Sequence, residues 1–335
     1  MNSDRSRIFL ITDHRSQITV NSVNALRIGC VKYFNARPLI RGWSGEVEFD
    51  HPSALCKRLA DGELDVALVS SFEFLRNPIY RIVDDVSISS DGPVYSVVVA
   101  HRGHFSELEE IELDPASQTA VNLLRCLLAE LNVGARLIRN IDLQSVRPAG
   151  LQPAVPAAAE DISAGHTGKM PMFQMPHRAR LLIGDQAVRF RQTYAGEFQF
   201  WDLGEQWKQL TGLPFVYALW LIRPELADAK SIAQRLRELR NENLANIDDV
   251  IADTVAGVGD AGQRKELNRE FLVRYYRKYL RFGFGEEEKE GLKTFAKLCA
   301  KHGLLEKCDL GFDPVVTHET NIQGAPPGCV TLQLL

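Results

Sequence analysis

Three short runs in this 335-residue chain place polar side chains where a strand-like stretch gives way to a helix-like one. Asn35 lies just beyond the apolar run 26–31. Ser70 and Ser71 close the run 65–69, and Ser117, Gln118 and Thr119 open an amphipathic stretch that reaches Leu131. In open α/β sheets, ligands bind beyond the carboxyl ends of the strands, where helix N-termini turn free N–H groups toward anions. Hydroxyls, an amide and backbone N–H groups gathered there can hold carboxylates. Asp185, which follows the apolar run 181–183, and Glu73 carry carboxyls able to serve as acid or base. Each also has a plainer role open to it, Asp185 as a helix cap and Glu73 as the partner of an arginine. On these residues alone, a helix cap is the preferred reading of Ser70, Ser71 and Ser117.

The elements that must position these groups follow from periodicity. Residues 26–31 read as a buried strand, 46–49 as an alternating one, and 65–69 as a continuous apolar strand of the buried parallel type. A helix over 52–64, with Ser53 as a possible cap, separates the last two. The resulting β-α-β-α-β order argues for a parallel sheet with right-handed crossovers. Strands are further expected at 94–101, 111–113, 135–138, 181–185, 198–203 and 215–222. Helices are expected at 117–131, 205–210, 230–247, 263–282 and 286–302. Glu286, Glu287 and Glu288 open the last of these, and Lys297 and Lys301 stand near its end, which suits the helix dipole. Two α/β lobes are the expected organisation. One comprises 26–104 and 214–305, and the other 105–213, with crossings near 100–105 and 213–216. Residues 1–25 read as a disordered extension, about 141–180 as a proline-rich insertion, and 306–335 as a loosely ordered tail.

Composition narrows the function. Lys plus Arg is 39 and Asp plus Glu is 43, so a formal charge of -4 makes no case for nucleic acid. The six cysteines, at 30, 56, 126, 299, 308 and 329, form no C-x-x-C pair and read as reduced thiols. His101 and His104 lack further ligands nearby, so no metal centre is expected. The only apolar run before residue 25 is short and broken by Asp13, and no stretch is long enough to span a membrane. The expectation is a soluble cytoplasmic protein with a small-molecule partner.

A resemblance adds to this reading. Tyr33-Phe34-Asn35-Ala36-Arg37-Pro38-Leu39 is similar to the opening Y-(L/F)-N-x-x-P-(L/F) of the menaquinone-biosynthesis chorismate dehydratases. Residues 62–74 (GELDVALVSSFEF), 88–97 (ISSDGPVYSV), 117–119 (SQT), 182–185 (LIGD), 201–207 (WDLGEQW) and 211–220 (TGLPFVYALW) match in the same order. The departures are the first 25 residues, the longer 141–180 stretch, and Arg178-Ala179-Arg180 where that family has acidic or small residues. The resemblance implies a two-lobed periplasmic-binding-protein-like (type 2) clamshell with parallel and mixed sheets and a substrate cleft between its lobes. It implies conversion of chorismate to 3-[(1-carboxyvinyl)oxy]benzoate plus water, in the futalosine route to menaquinone, without metal or organic cofactor.

Under that resemblance Asn35 is the leading catalytic candidate, placed to position the departing hydroxyl or stabilise a dienolate. Ser70, Ser71, Gly92, Ser96, Ser117, Gln118, Thr119 and Asp185 are candidate substrate-binding residues, and Glu73 a further acid–base candidate. The serine pair would hold one carboxylate and the Ser-x-Thr run the other. The base stays open, with the substrate's own side-chain carboxylate among the choices. Two other readings also stay open. One is a 1,4-dihydroxy-6-naphthoate synthase-like enzyme, whose Pro-Asn-Asp opening is absent here. The other is a non-catalytic binder of small dicarboxylates.

Overall fold

The computed structural model describes residues 26–114, 116–139, 177–257, 268–306, 309–314 and 329–335. The chain begins with β1 (Ile28–Val31), a short 3-10 turn (Phe34–Ala36) and α1 (Arg37–Ile40). β2 (Val47–Asp50), α2 (Pro52–Ala60), β3 (Val66–Ser70) and α3 (Ser71–Arg76) follow. Every residue of β1 and β3 is buried, as their continuous apolar runs require. β1 pairs in parallel with both β2 and β3, the expected product of two right-handed crossovers. α2 starts one residue before Ser53, with Pro52 in its first turn, where a fixed φ and a missing N–H cost nothing.

β4 (Arg81–Ser90) then joins the same sheet through β10 (Phe215–Ile222), which runs antiparallel to both β3 and β4. β4 escapes sequence reading because Asp84-Asp85 breaks its apolar pattern. Asp85 sits at φ 64, a region non-glycine residues rarely enter. Arg240, only 7% exposed, compensates: its guanidinium donates to the Asp85 carbonyl and carboxylate, both at 2.6 Å, and to the Phe282 carbonyl at 3.0 Å.

β5 (Val97–His101) belongs to a second sheet, paired antiparallel with β8 (Arg178–Ile183) and β9 (Gln199–Asp202). β6 (Glu110–Leu113) and β7 (Arg136–Arg139) complete it, in the order β7-β6-β8-β5-β9. The helices of this part are α4 (Gln118–Glu130), α5 (Gly184–Thr193) and α6 (Leu203–Thr211). The outward crossing between sheets therefore falls at 91–96 rather than near 100–105. A fully buried run such as VVVAH looks the same in either sheet, and only its partners decide which one it joins.

After β10 come α7 (Ala229–Ala245), α8 (Ile247–Ala256), α9 (Arg269–Arg274), a π-helical turn (Tyr275–Tyr279) and α10 (Glu286–Lys301). Instead of one helix to 282, α9 widens into the π turn and ends there. The segment expected as a loose tail instead supplies β11 (Asp309–Pro314) and β12 (Cys329–Leu334), which extend the first sheet to the order β11-β12-β4-β10-β3-β1-β2. The free edge of β4 draws them in: Leu335 N donates to the Ile82 carbonyl at 2.9 Å, and Asp84 N to the Leu335 carbonyl at 3.0 Å. Residues 1–25 and 141–176 of the expected extension and insertion lie outside the described residues. Among the described residues, no helix is long and apolar enough to cross a membrane.

Asp202, 2% exposed, ties the outward crossing to the start of α6. Its carboxylate accepts from Val94 N (3.0 Å) and Tyr95 N (2.8 Å) on the outward path. It also accepts from Gly204 N (3.1 Å) and Glu205 N (3.2 Å), which open α6 before the return. Asp202→Ala strands four donors, two of them cap donors, and is expected to cost about 3 kcal/mol of stability. Urea unfolding measures this; a loss under about 0.5 kcal/mol, the size of an ordinary surface change, would show that the outward crossing is held elsewhere.

Candidate active site

A cleft is lined by residues of both sheets and of the segments that join them. Tyr33 and Asn35 line it from the turn after β1, and Ser70 from the end of β3. Ser96 lines it ahead of β5, Ser117 and Thr119 at the start of α4, Gly184 at the start of α5, and Tyr217 on β10. Val31, Ile88, Val94, Val97, Ile183 and Ala218 supply apolar walls. Among the described residues, no charged side chain lines this cleft. Its polar groups are neutral hydroxyls and one amide, beside helix starts. Such groups recognise carboxylates directionally, and they act strongly where water is excluded.

Asn35 occupies the 3-10 turn, and its Oδ1 is buried without a hydrogen-bond partner among the described residues. A buried, unsatisfied amide oxygen is costly, so the position asks for a donor. The turn is gripped at both peptide groups of Phe34. Its N–H donates to Asp185 Oδ1 at 3.0 Å, and its carbonyl accepts from the Tyr276 hydroxyl at 2.8 Å. Asp185 belongs to α5 of the second sheet, so the first of these bonds crosses the cleft.

Gly184 beside it permits the close approach. At φ 57, a Cβ there would sit 2.9 Å from the Tyr33 ring. Gly204 serves the same end on the far side, where a Cβ would meet the Gly92 carbonyl at 2.5 Å and the Tyr217 hydroxyl at 2.6 Å.

Ser70, Ser71 and Thr119, expected to serve two separate carboxylates, meet at one point. Ser70 Oγ is hydrogen-bonded to Thr119 Oγ1, which also accepts from Phe72 N at 3.1 Å and lies 3.3 Å from Ser71 Oγ. The Ser71 hydroxyl donates to the Val216 carbonyl at 2.7 Å and does not line the cleft. Ser117 Oγ caps α4 by accepting from Ala120 N at 3.1 Å, which leaves its own hydrogen available. Ser96 Oγ accepts from the Tyr275 hydroxyl at 2.8 Å, and Ser90 Oγ lies 3.1 Å from the Tyr217 hydroxyl. Burial drives the phenols of Tyr217, Tyr275 and Tyr276 well above the usual range, so all three act as neutral groups.

The remaining candidates stand apart. Gly92 has φ 107 and shapes the turn below the cleft, its carbonyl accepting from Ser90 Oγ at 3.0 Å. Gln118 faces a neighbouring groove with Arg76, Asp114 and Arg125. Glu73 is fully buried outside the cleft, paired with Arg76 at 2.5 Å, with its carboxyl raised by burial. Asp185 lies beside the cleft rather than on its surface, and burial raises its carboxyl to about 6. Sequence reading missed Tyr217, Tyr275 and Tyr276. The last two stand among basic residues (RYYRKYLR) that resemble a solvated helix face, and only the Tyr-Tyr pair hinted otherwise.

Comparison with known proteins fits this architecture. A family described as menaquinone biosynthesis matches residues 26–159 and 160–301. The chorismate dehydratase of Thermus thermophilus is 30% identical over 288 residues, covering 81% of this chain and 93% of that protein. Among solved structures, the alkanesulfonate-binding protein SsuA of Xanthomonas axonopodis pv. citri aligns with a TM-score of 0.55 at 15% identity, over 84% of this chain and 94% of its own. The periplasmic aliphatic sulphonate binding protein SsuA of Escherichia coli aligns with a TM-score of 0.50 at 13% identity, over 84% and 88%. These two likenesses show the fold, a periplasmic-binding-protein-like clamshell of two mixed sheets. The expected cytoplasmic location is withdrawn: it rested only on a missing apolar leader, and the solved structures that share this fold include a periplasmic binding protein. On the family match and the relative's coverage, this chain belongs to the menaquinone-biosynthesis family that includes the chorismate dehydratases.

Proposed function

We propose that this protein is a hydro-lyase that converts chorismate to 3-[(1-carboxyvinyl)oxy]benzoate and water. The observation that carries the proposal is the cleft itself: a lining of neutral hydroxyls around one unsatisfied amide, Asn35, with no protein acid, base or cation on it among the described residues. Chorismate carries two carboxylates and a ring hydroxyl, and its dehydration yields an aromatic ring. That gain in aromaticity drives the reaction, so the protein's task is to orient the substrate and stabilise charge.

The ring C–H bond breaks first, and its electron pair spreads through the ring into the ring carboxylate as a dienolate. The C–O bond to the ring hydroxyl then breaks with its electron pair, and the departing oxygen takes up the proton as water. Ser117, Thr119 and the first N–H groups of α4 lie where a carboxylate would settle. The Asn35 amide presents its NH₂ to the departing oxygen or the dienolate, while its Oδ1 accepts from the substrate hydroxyl. With no carboxylate, imidazole or amine of the described chain on the lining, the base this geometry favours is the substrate's own side-chain carboxylate.

The test is incubation of purified protein with chorismate, read by liquid chromatography and mass spectrometry. A product lighter by one water, absent without protein, is expected. Asn35→Ala should lower kcat by at least about 100-fold while the fold persists, a loss typical for a group that acts on developing charge. Full turnover by that variant removes Asn35 from the chemistry. Tight binding of chorismate without turnover would make the protein a dicarboxylate receptor.

A further inference from the structure

We propose that Tyr276 and Asp185 are positioning residues that grip the two peptide groups of Phe34 and so hold Asn35 in its working place only when the cleft is closed. The inference rests on the role given to Asn35 above. The two grips come from different parts of the fold. The Tyr276 hydroxyl reaches the Phe34 carbonyl from the π turn after α9, while the Asp185 carboxylate reaches the Phe34 N–H from the second sheet. Opening the cleft breaks the second bond and leaves the first. Asn35 is thus half-held in an open molecule and fully held in a closed one, which couples catalysis to closure.

The π turn makes this possible. Widened turns of this kind recur at functional sites in helices. Here consecutive residues serve both flanks of the cleft: Tyr275 donates to Ser96 Oγ and Tyr276 to Phe34 O, each at 2.8 Å. Both rings are almost fully buried, so neither hydroxyl has water as an alternative partner.

The charged groups facing Asp185 are Lys32 after β1, Arg37 in α1 and Arg189 in α5; the phenols of Tyr33, Tyr275 and Tyr276 also face it. Burial outweighs the three cations and raises the carboxyl to about 6. Below that pH the group is protonated, the Phe34 N–H loses its charged acceptor, and the grip loosens. Activity should therefore rise with pH through about 6. Stability runs the other way. A carboxyl raised on folding favours the protonated form, so its contribution is full below the ordinary carboxylate range and is lost as pH rises through about 6. Asp185→Asn should be the more stable protein at pH 8, converging with the parent near pH 4.

Tyr276→Phe, which removes one oxygen from a buried ring, is expected to lower kcat on the order of 10- to 100-fold with KM within about twofold. Asp185→Asn should flatten the acid limb of kcat/KM near 6, while Tyr276→Phe keeps it. In an Asn35→Ala background, Tyr276→Phe should add almost nothing. An undiminished effect there would show that Tyr276 acts independently of Asn35, which would overturn the proposal and leave the role of Asn35 intact. Hydrogen exchange over residues 33–36 of the protein alone needs no substrate. Asp185→Ala and Tyr276→Phe should each speed it about tenfold or more, the loss expected for a hydrogen bond of this strength. Unchanged exchange overturns the grip even if the parent fails to dehydrate chorismate, and accelerated exchange in such a parent upholds the grip while the proposed reaction falls.

Discussion

A single buried carboxylate, Asp202, fastens the outward crossing between the two sheets to the start of α6. The chain passes outward between the sheets at 91–96, and Asp202 holds two N–H groups on that path and two more in the first turn of α6. Tyr95 adopts φ 67 on the first path, a conformation that persists only where surrounding bonds over-determine it. Arg191, 3.3 Å from Asp202 and stacked over the Tyr95 ring at 4.2 Å, closes the arrangement from α5. The lips of the cleft inherit their alignment from this junction, because α5 and α6 both pack around it.

Among the described residues, the lining of the cleft is neutral. For the dianion proposed above as substrate, recognition by hydroxyls and N–H groups would avoid burying a fixed charge in the empty site, where an unpaired cation would be costly. Fixed neutral dipoles need no reorganisation as charge shifts during a reaction. The cations near the site, Lys32, Arg37 and Arg189, stand behind the lining and act on Asp185 rather than lining the cleft. The carboxylates kept off the cleft surface have structural work. Glu73 pairs with Arg76, and Asp185 accepts from Phe34 N in the turn that carries Asn35.

Much of this organisation was legible in residue order. Continuous apolar runs marked β1, β3, β5 and β10, and the Ser117 cap marked the start of α4, because burial and capping are local demands. Asn35, Ser70, Ser96, Ser117 and Thr119 were legible as a group through their places at element ends and their motif blocks, and the structure brings them to one cleft. β4 was hidden because Asp84-Asp85 interrupts its apolar pattern, and the two features that accommodate it, pairing with β10 and the contact of Arg240 with Asp85, come from residues far along the chain. β11 and β12 were hidden because an edge strand is chosen by the free backbone it meets.

By itself, the sequence determined the family, the apolar strands β1, β3, β5 and β10, and the placing of Asn35, Ser70 and Ser117 at the ends of elements, while leaving the carboxyls of Asp185 and Glu73 among the site candidates. Those properties reside in side-chain type and local periodicity, which the chain carries wherever it goes. Tertiary structure alone decided which sheet each buried strand joins, and that Ser70 and Thr119 share one hydrogen bond instead of serving two anchors. It alone aimed a tyrosine pair in a basic helix inward at Ser96 and Phe34. These are contacts between residues far apart in sequence, and a hydrogen bond's partner is chosen by distance and angle in the folded molecule.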